Sequence, residues 1–89
     1  MKYRVEYTKK AVEQLKKMDR KIAAFIISYI EDKLLDCENP RLFGKSLQGN
    51  LSHKWRYRVG NYRILAKIED EAMVILVVEA GHRKDIYKK

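Results

Sequence analysis

Cysteine is all but missing from this chain: Cys37 is the single one among 89 residues. One thiol closes no internal disulfide, so nothing argues for a cross-linked secreted scaffold or an oxidising compartment. His53 and His82 are the only histidines, and with Cys37 they form no metal-ligand spacing. No apolar run approaches the ~18–20 residues that cross a bilayer. The opening Met1-Lys2-Tyr3-Arg4 is charged and carries no apolar signal region. Repeats, linkers and low-complexity stretches are absent as well. The expectation is a cytoplasmic protein of one domain, residues 1–89, with no metal, no cofactor and no membrane contact.

Acidic residues are also in short supply. Lys and Arg number 20 against 12 Asp and Glu, a formal charge of +8 and a pI of about 9.7. Such a balance suits a nucleic-acid partner. Net charge informs partner choice rather than fold, and an anionic membrane or an acidic protein would be attracted too. A chain of this size buries only about 60–65% of its unfolded surface. That suffices for a three- or four-strand sheet covered on one side by helices.

The polar–apolar pattern divides the chain. Residues 2–7 alternate with a period of two, which marks a half-buried strand with Tyr3, Val5 and Tyr7 on its inward face. Thr8 suits the N-cap of a first helix, in which Ala11, Val12, Leu15 and Met18 recur at helical spacing. Asp19 suits a second N-cap, followed by the stripe Ile22, Phe25, Ile26, Tyr29, Ile30 and Leu34. Asn39-Pro40 stops that helix, because a residue before proline is pushed out of the helical region. A short joint predicts an antiparallel helical hairpin. Residues 37–53 read as a loop, with Ser46-Leu47-Gln48 as a short edge strand. His53–Val59 and Tyr62–Ile68 alternate again, Met73–Val78 is a continuous apolar run expected of a central strand, and Gly81 ends it. The fold class is therefore α+β: an antiparallel sheet of about four strands with an N-terminal helical hairpin on one face, leaving the other face open.

The turn dipeptide Gly60-Asn61 fixes a register. Val59 opposes Tyr62, Arg58 opposes Arg63, Tyr57 opposes Ile64, Arg56 opposes Leu65, Trp55 opposes Ala66 and Lys54 opposes Lys67. One face then reads Trp55, Tyr57, Val59, Tyr62, Ile64, Ala66 and Ile68, a core face. The other reads Lys54, Arg56, Arg58, Arg63, Leu65 and Lys67, with no acidic residue between Ser52 and Ile68. Like charges directly opposed across a sheet cost roughly 0.2–1 kcal/mol per pair. Isolated lysines on such a strand would be a solvated, aggregation-resistant edge. Two opposed cation pairs depart from local consistency in a way that points to function, and the planar fork of arginine matches phosphate oxygens.

A phosphodiester backbone is the natural ligand of such a face. RNA brings its own nucleophile, the 2′-hydroxyl, and preorganised cations aimed at the charge developing on phosphorus supply much of the catalysis without a metal. The basic tail adds groups for this work. His82 titrates near neutrality when unperturbed, Arg83 suits the scissile phosphate, Tyr87 suits base stacking or proton exchange, and Lys84 and Lys88 suit RNA binding, as Arg58 and Lys67 do on the hairpin. Each has a plainer alternative, His82 closing the last strand and Tyr87 packing on the core.

The segments Gly-Asn-Leu-Ser-His-Lys-Trp-Arg-Tyr-Arg-Val-Gly-Asn-Tyr-Arg-Ile (49–64) and Gly-His-Arg-Lys-Asp-Ile-Tyr (81–87) resemble the RelE branch of the RelE/ParE toxin superfamily. The resemblance implies a microbial RNase fold and a type II toxin that cuts mRNA in the ribosomal A site by 2′-hydroxyl attack, leaving a cyclic phosphate. It also implies a cognate antitoxin, and contact with operator DNA only through that antitoxin. By position, Lys54 and Arg56 match basic residues that support RNA and the transition state. Arg63 matches an arginine on the scissile phosphate, Arg83 one near the leaving group, and Tyr87 a C-terminal tyrosine of proton transfer or stacking. His82 resembles the C-terminal histidine of a YoeB-like branch, whose glutamate base has Ser46 in the corresponding region. The alternative from the same superfamily is a ParE-like inhibitor of DNA gyrase, with no RNA cleavage.

Overall fold

The structure, a computed structural model, describes residues 2–47 and 54–82. Its strands are β1 (Arg4–Tyr7), β2 (Lys45–Ser46), β3 (Trp55–Val59), β4 (Tyr62–Glu69) and β5 (Val74–His82), with helices α1 (Lys9–Lys17) and α2 (Arg20–Tyr29) between β1 and β2. The five strands form one sheet in the order β1-β5-β4-β3-β2. The α+β class stands. The sheet gains a fifth strand, and β1 lies parallel to β5 while the remaining pairings are antiparallel. A parallel return needs a long crossover, and most of the chain between β1 and β5 supplies it.

Both caps form as the sequence indicates. The Thr8 hydroxyl accepts from the Ala11 amide at 3.1 Å and donates to the Val78 carbonyl at 3.2 Å, so one side chain starts α1 and ties it to β5. Asp19 accepts from the Lys21 amide at 2.8 Å. Beyond Tyr29 the helix widens into a π-turn, Ile30–Leu34, which keeps Ile30 and Leu34 fully buried. The stripe on α2 has one exception: Phe25 is 57% exposed. It stands beside the β3–β4 turn, where a Cβ on Gly60 would lie 3.6 Å from its ring.

That turn reverses the chain at Gly60, whose φ is +61. A positive φ at the first central position and not at the second, Asn61, is the mark of a type II′ hairpin. The resulting β3–β4 register matches the sequence reading from Trp55↔Ala66 to Val59↔Tyr62. The Lys54–Lys67 pair lies outside the ladder, because β3 begins at Trp55; on the β2 side the Lys54 carbonyl accepts from the Leu47 amide at 3.1 Å. The edge strand β2 is Lys45–Ser46 rather than 46–48, and Gln48 and His53 lie outside the described residues.

β5 does not stop at Gly81. It pairs with β4 through Arg63↔Gly81 and Tyr62↔His82. Its outer edge past β1 is closed by α1, where Gln14 Oε1 accepts from the Ala80 amide at 2.9 Å. Between Leu65 and Ala66 the β4–β5 register shifts, leaving Val78 as the extra residue. Such a bulge reverses which face the following side chains take. Val77 and Ile75 thus face the helices, as does Ala80, while Glu79 joins Leu65 on the other side. The core lies between sheet and helices, around Tyr57, Ile26, Ile30, Leu34, Ile64, Ile75 and Val77.

Candidate nucleic-acid interface

The face away from the helices is built in rows. Arg58, Arg63 and Gly81 form one row, and Lys45, Arg56, Leu65 and Glu79 the next. Beyond the bulge, Lys67 stands beside Leu76. Lys45–Arg56 is a further cation pair in direct opposition, unforeseen because the edge strand sits one residue earlier than its pattern suggested. Glu79 is the one acid in these rows, and it is engaged by Lys10 of α1 at 3.4 Å.

Arg63 is the unusual member. It is 5% exposed, the only charged residue buried among those described. Its Nη1 donates to the Tyr62 carbonyl at 3.1 Å and, at 3.5 Å, to that of Gly60. Its Nε is buried without a partner, and no carboxylate pairs with it among the described residues. A buried charge without a counter-ion is costly, and an unsatisfied donor calls for an explanation beyond stability. An anion arriving at this position would supply the missing acceptor and the missing charge together. Arg58 opposite is exposed, as is Lys67, while Lys54 and Arg56 are half-buried.

His82 does not join these residues. Paired with Tyr62, it lies on the helix side, its ring 5.3 Å from that of Tyr62 in an edge-to-face contact. There it borders a cleft with Gln14, Lys17, Met18 and Asp19. The bulge at Val78 is the cause, since an uninterrupted period of two would send His82 to the arginine face. Arg83, Lys84, Tyr87 and Lys88 lie outside the described residues. Among the described residues, no group of three or more His, Cys, Asp and Glu side chains is placed to hold a metal ion, and no helix is long and apolar enough to cross a membrane.

The β2 side of the face is held by a network that the sequence does not announce. The Tyr57 hydroxyl donates to the Pro40 carbonyl at 2.6 Å, and Trp55 Nε1 to the Phe43 carbonyl at 2.6 Å. Burial pushes the Tyr57 hydroxyl pKa well above its ordinary value, so it remains a donor. Arg41 forms a bidentate pair with Asp70, both contacts 2.9 Å, and the Tyr3 hydroxyl donates to the same carboxylate at 2.7 Å. The Arg41 bonds, followed by that of Tyr3, lower the Asp70 pKa to about 2. Gly44 closes the arrangement with φ +77, where a Cβ would fall 2.2 Å from the Arg56 carbonyl oxygen.

This geometry agrees with what the chain is similar to. A family model described as ParE toxin of type II toxin-antitoxin system, parDE, matches residues 5–87. Toxin RelG of Mycobacterium tuberculosis is 32% identical over 89 residues, the whole of both chains. Toxin RelE of the same organism is 29% identical, covering 97% of this chain and 87% of the relative. Among solved structures, the toxin–antitoxin complex RelBE2 of M. tuberculosis matches with TM-score 0.84 at 29% identity, covering 93% of this chain and 100% of the matched one. A double mutant of the E. coli toxin RelE in the free state shares the fold, with TM-score 0.73 at 21% identity over 96% of this chain and 87% of that one. The chain belongs to the RelE/ParE superfamily of type II toxin–antitoxin toxins.

Proposed function

We propose that this toxin is a ribosome-dependent mRNA endonuclease acting in the cytoplasm. The observation that carries the reading is Arg63, a buried guanidinium with neither a counter-ion nor an acceptor for its Nε among the described residues, and with Arg58 directly across the ladder. The scissile phosphate takes that place. The 2′-oxygen gives up its proton and bonds to phosphorus. The phosphorus–5′-oxygen bond breaks, the departing oxygen takes a proton, and a 2′,3′-cyclic phosphate remains. Negative charge builds on the phosphoryl oxygens along the way, and cations fixed beforehand stabilise it without reorganising. Arg56 and Lys54 support the strand and its transition state, Lys67 holds the flanking backbone, and the resemblance gives Arg83 and Tyr87 to the leaving-group side, with Lys84 and Lys88 on RNA. No metal is needed for these steps. His82, on the helix side, takes no part in them.

A cognate antitoxin silences the protein by covering the arginine face or displacing the C-terminal tail. The solved RelBE complexes of related toxins support such a partner, and a cationic face suits an acidic segment that folds on binding. Operator DNA is contacted only through that antitoxin.

The test is purified toxin added to ribosomes programmed with a defined message. Codon-positioned cuts ending in cyclic phosphate, unaffected by a chelator when ribosomes are kept intact by other means, are the expected result. The name of the matching family model favours a second reading, gyrase inhibition. DNA damage on induction with intact mRNA would establish it and remove the nuclease.

A further inference from the structure

We infer that the cationic face continues around the β2–β3 edge into a second nucleotide subsite, which holds an mRNA nucleotide flanking the one that is cut. The inference rests on the nuclease reading and extends it to sequence preference. A cleft of about 400 Å³ opens at that edge, lined by Tyr29, Leu42, Phe43, Lys45, Arg56 and Arg58 beside Gly44. Its charged lining is cationic throughout. Arg58 belongs both to this cleft and to the row that contains Arg63, so one strand of RNA held at Arg63 passes Arg58 on its way in. Lys45 on β2 is level with Leu65 on β4, so it lies two strand spacings across and two residues along from Arg63, roughly 12 Å, the span of one or two nucleotides of an extended strand.

The apolar part of the cleft fits a base. Leu42 is 71% exposed, the most exposed large hydrophobic residue of those described. It extends from the short 3-10 turn Pro40–Leu42, which the Tyr57–Pro40 bond fixes to the sheet. Phe43 beside it is half-buried and its ring is approached by Lys33 at 5.8 Å. Alternating cations and an apolar or aromatic shelf are what a single strand requires: charge follows the backbone and the shelf takes the flat face of a base. An acidic peptide would also be drawn by the charge. The exposed shelf and the shared Arg58 favour the RNA strand.

The experiment measures cleavage on programmed ribosomes whose messages vary in base on either side of the cut, using full-length wild type, Lys45→Ala, Lys45→Arg, Leu42→Ala and Leu42→Asp. Lys45 and Leu42 are exposed, and matching thermal unfolding confirms that the variants fold. Lys45→Ala is expected to raise KM about five-fold with kcat nearly unchanged and a shallower salt dependence, and Lys45→Arg to restore it. Leu42→Asp, and to a lesser degree Leu42→Ala, is expected to flatten base preference at one flanking position. Unchanged preference at every position overturns the subsite, even where KM rises, since the cations then serve ribosome docking. Variants that lose only affinity for an acidic antitoxin peptide overturn it in favour of that partner. A wild type that cuts no mRNA removes the nuclease reading itself, and the subsite with it.

Discussion

Arg58 and Arg63 stand directly opposite each other on β3 and β4, one exposed and the other sunk to 5% exposure. Two like charges so placed destabilise the hairpin, and the buried one has no counter-ion among the described residues. Arg63→Met keeps much of the volume and removes the unpaired charge. It is expected to leave the unfolding free energy unchanged or raise it by about 1 kcal/mol, while cleavage falls at least a hundredfold. Chemical denaturation and ribosome cleavage of the same preparation check both halves. A variant that is both destabilised and active would contradict the anion-site assignment.

His82→Gln is expected to lower cleavage by less than about tenfold, under about 1.4 kcal/mol of barrier. The side chain lies beside Tyr62 on the helix side. Single-turnover rates across pH decide the matter. A loss of about a hundredfold or more on substitution would return His82 to the catalytic groups.

Gly44→Ala is expected to cost roughly 2–4 kcal/mol, combining left-handed backbone strain with overpacking. The new Cβ meets backbone, the Arg56 carbonyl at 2.2 Å, which has little freedom to retreat. Gly60→Ala, with φ +61 but only a ring atom at 3.6 Å, should cost about 1–2 kcal/mol. Urea midpoints for the two variants give the comparison, and equal losses would show that strain alone matters.

Asp70 sets an acid limit. Its folded-state pKa of about 2 lies below the ordinary value of 3.8. The stability it contributes is therefore present above about pH 4 and is lost as pH falls through 2. The carboxylate is 54% exposed, so solvent screening keeps the effect small. Thermal midpoints from pH 5 to pH 2 should fall less steeply in Asp70→Asn than in wild type, and identical slopes would rule the linkage out.

Thr8→Ala removes the cap of α1 and the bond to Val78 together. A loss of about 1–2 kcal/mol is expected, most of it recovered by Thr8→Ser. Equilibrium denaturation of the pair measures it.

Local chemistry made much of this legible in the sequence. Gly60-Asn61 specifies its own turn, and the turn fixes the register that gathers Arg56, Arg58 and Arg63. Thr8 and Asp19 announce their helices. The parallel β1–β5 pairing was not legible, because an alternating strand does not state its partner. Nor was the bulge. Within the apolar stretch Met73–Val78 every residue suits either face, so no polar marker records the change of phase, and the face of His82 was hidden with it. The bonds joining Asp70 to Arg41 and Tyr3 span 29 and 67 residues, and no local pattern connects them.

The contact of Gln14 with the Ala80 amide has its own consequence. Where a neighbouring strand would ordinarily occupy that donor, a single side chain from α1 does so. Exchange of the Ala80 amide with deuterated solvent therefore registers the departure of one helix, without the sheet opening anywhere else. A ligand that pries α1 from β5 would show itself at that one proton before the fold as a whole had begun to melt.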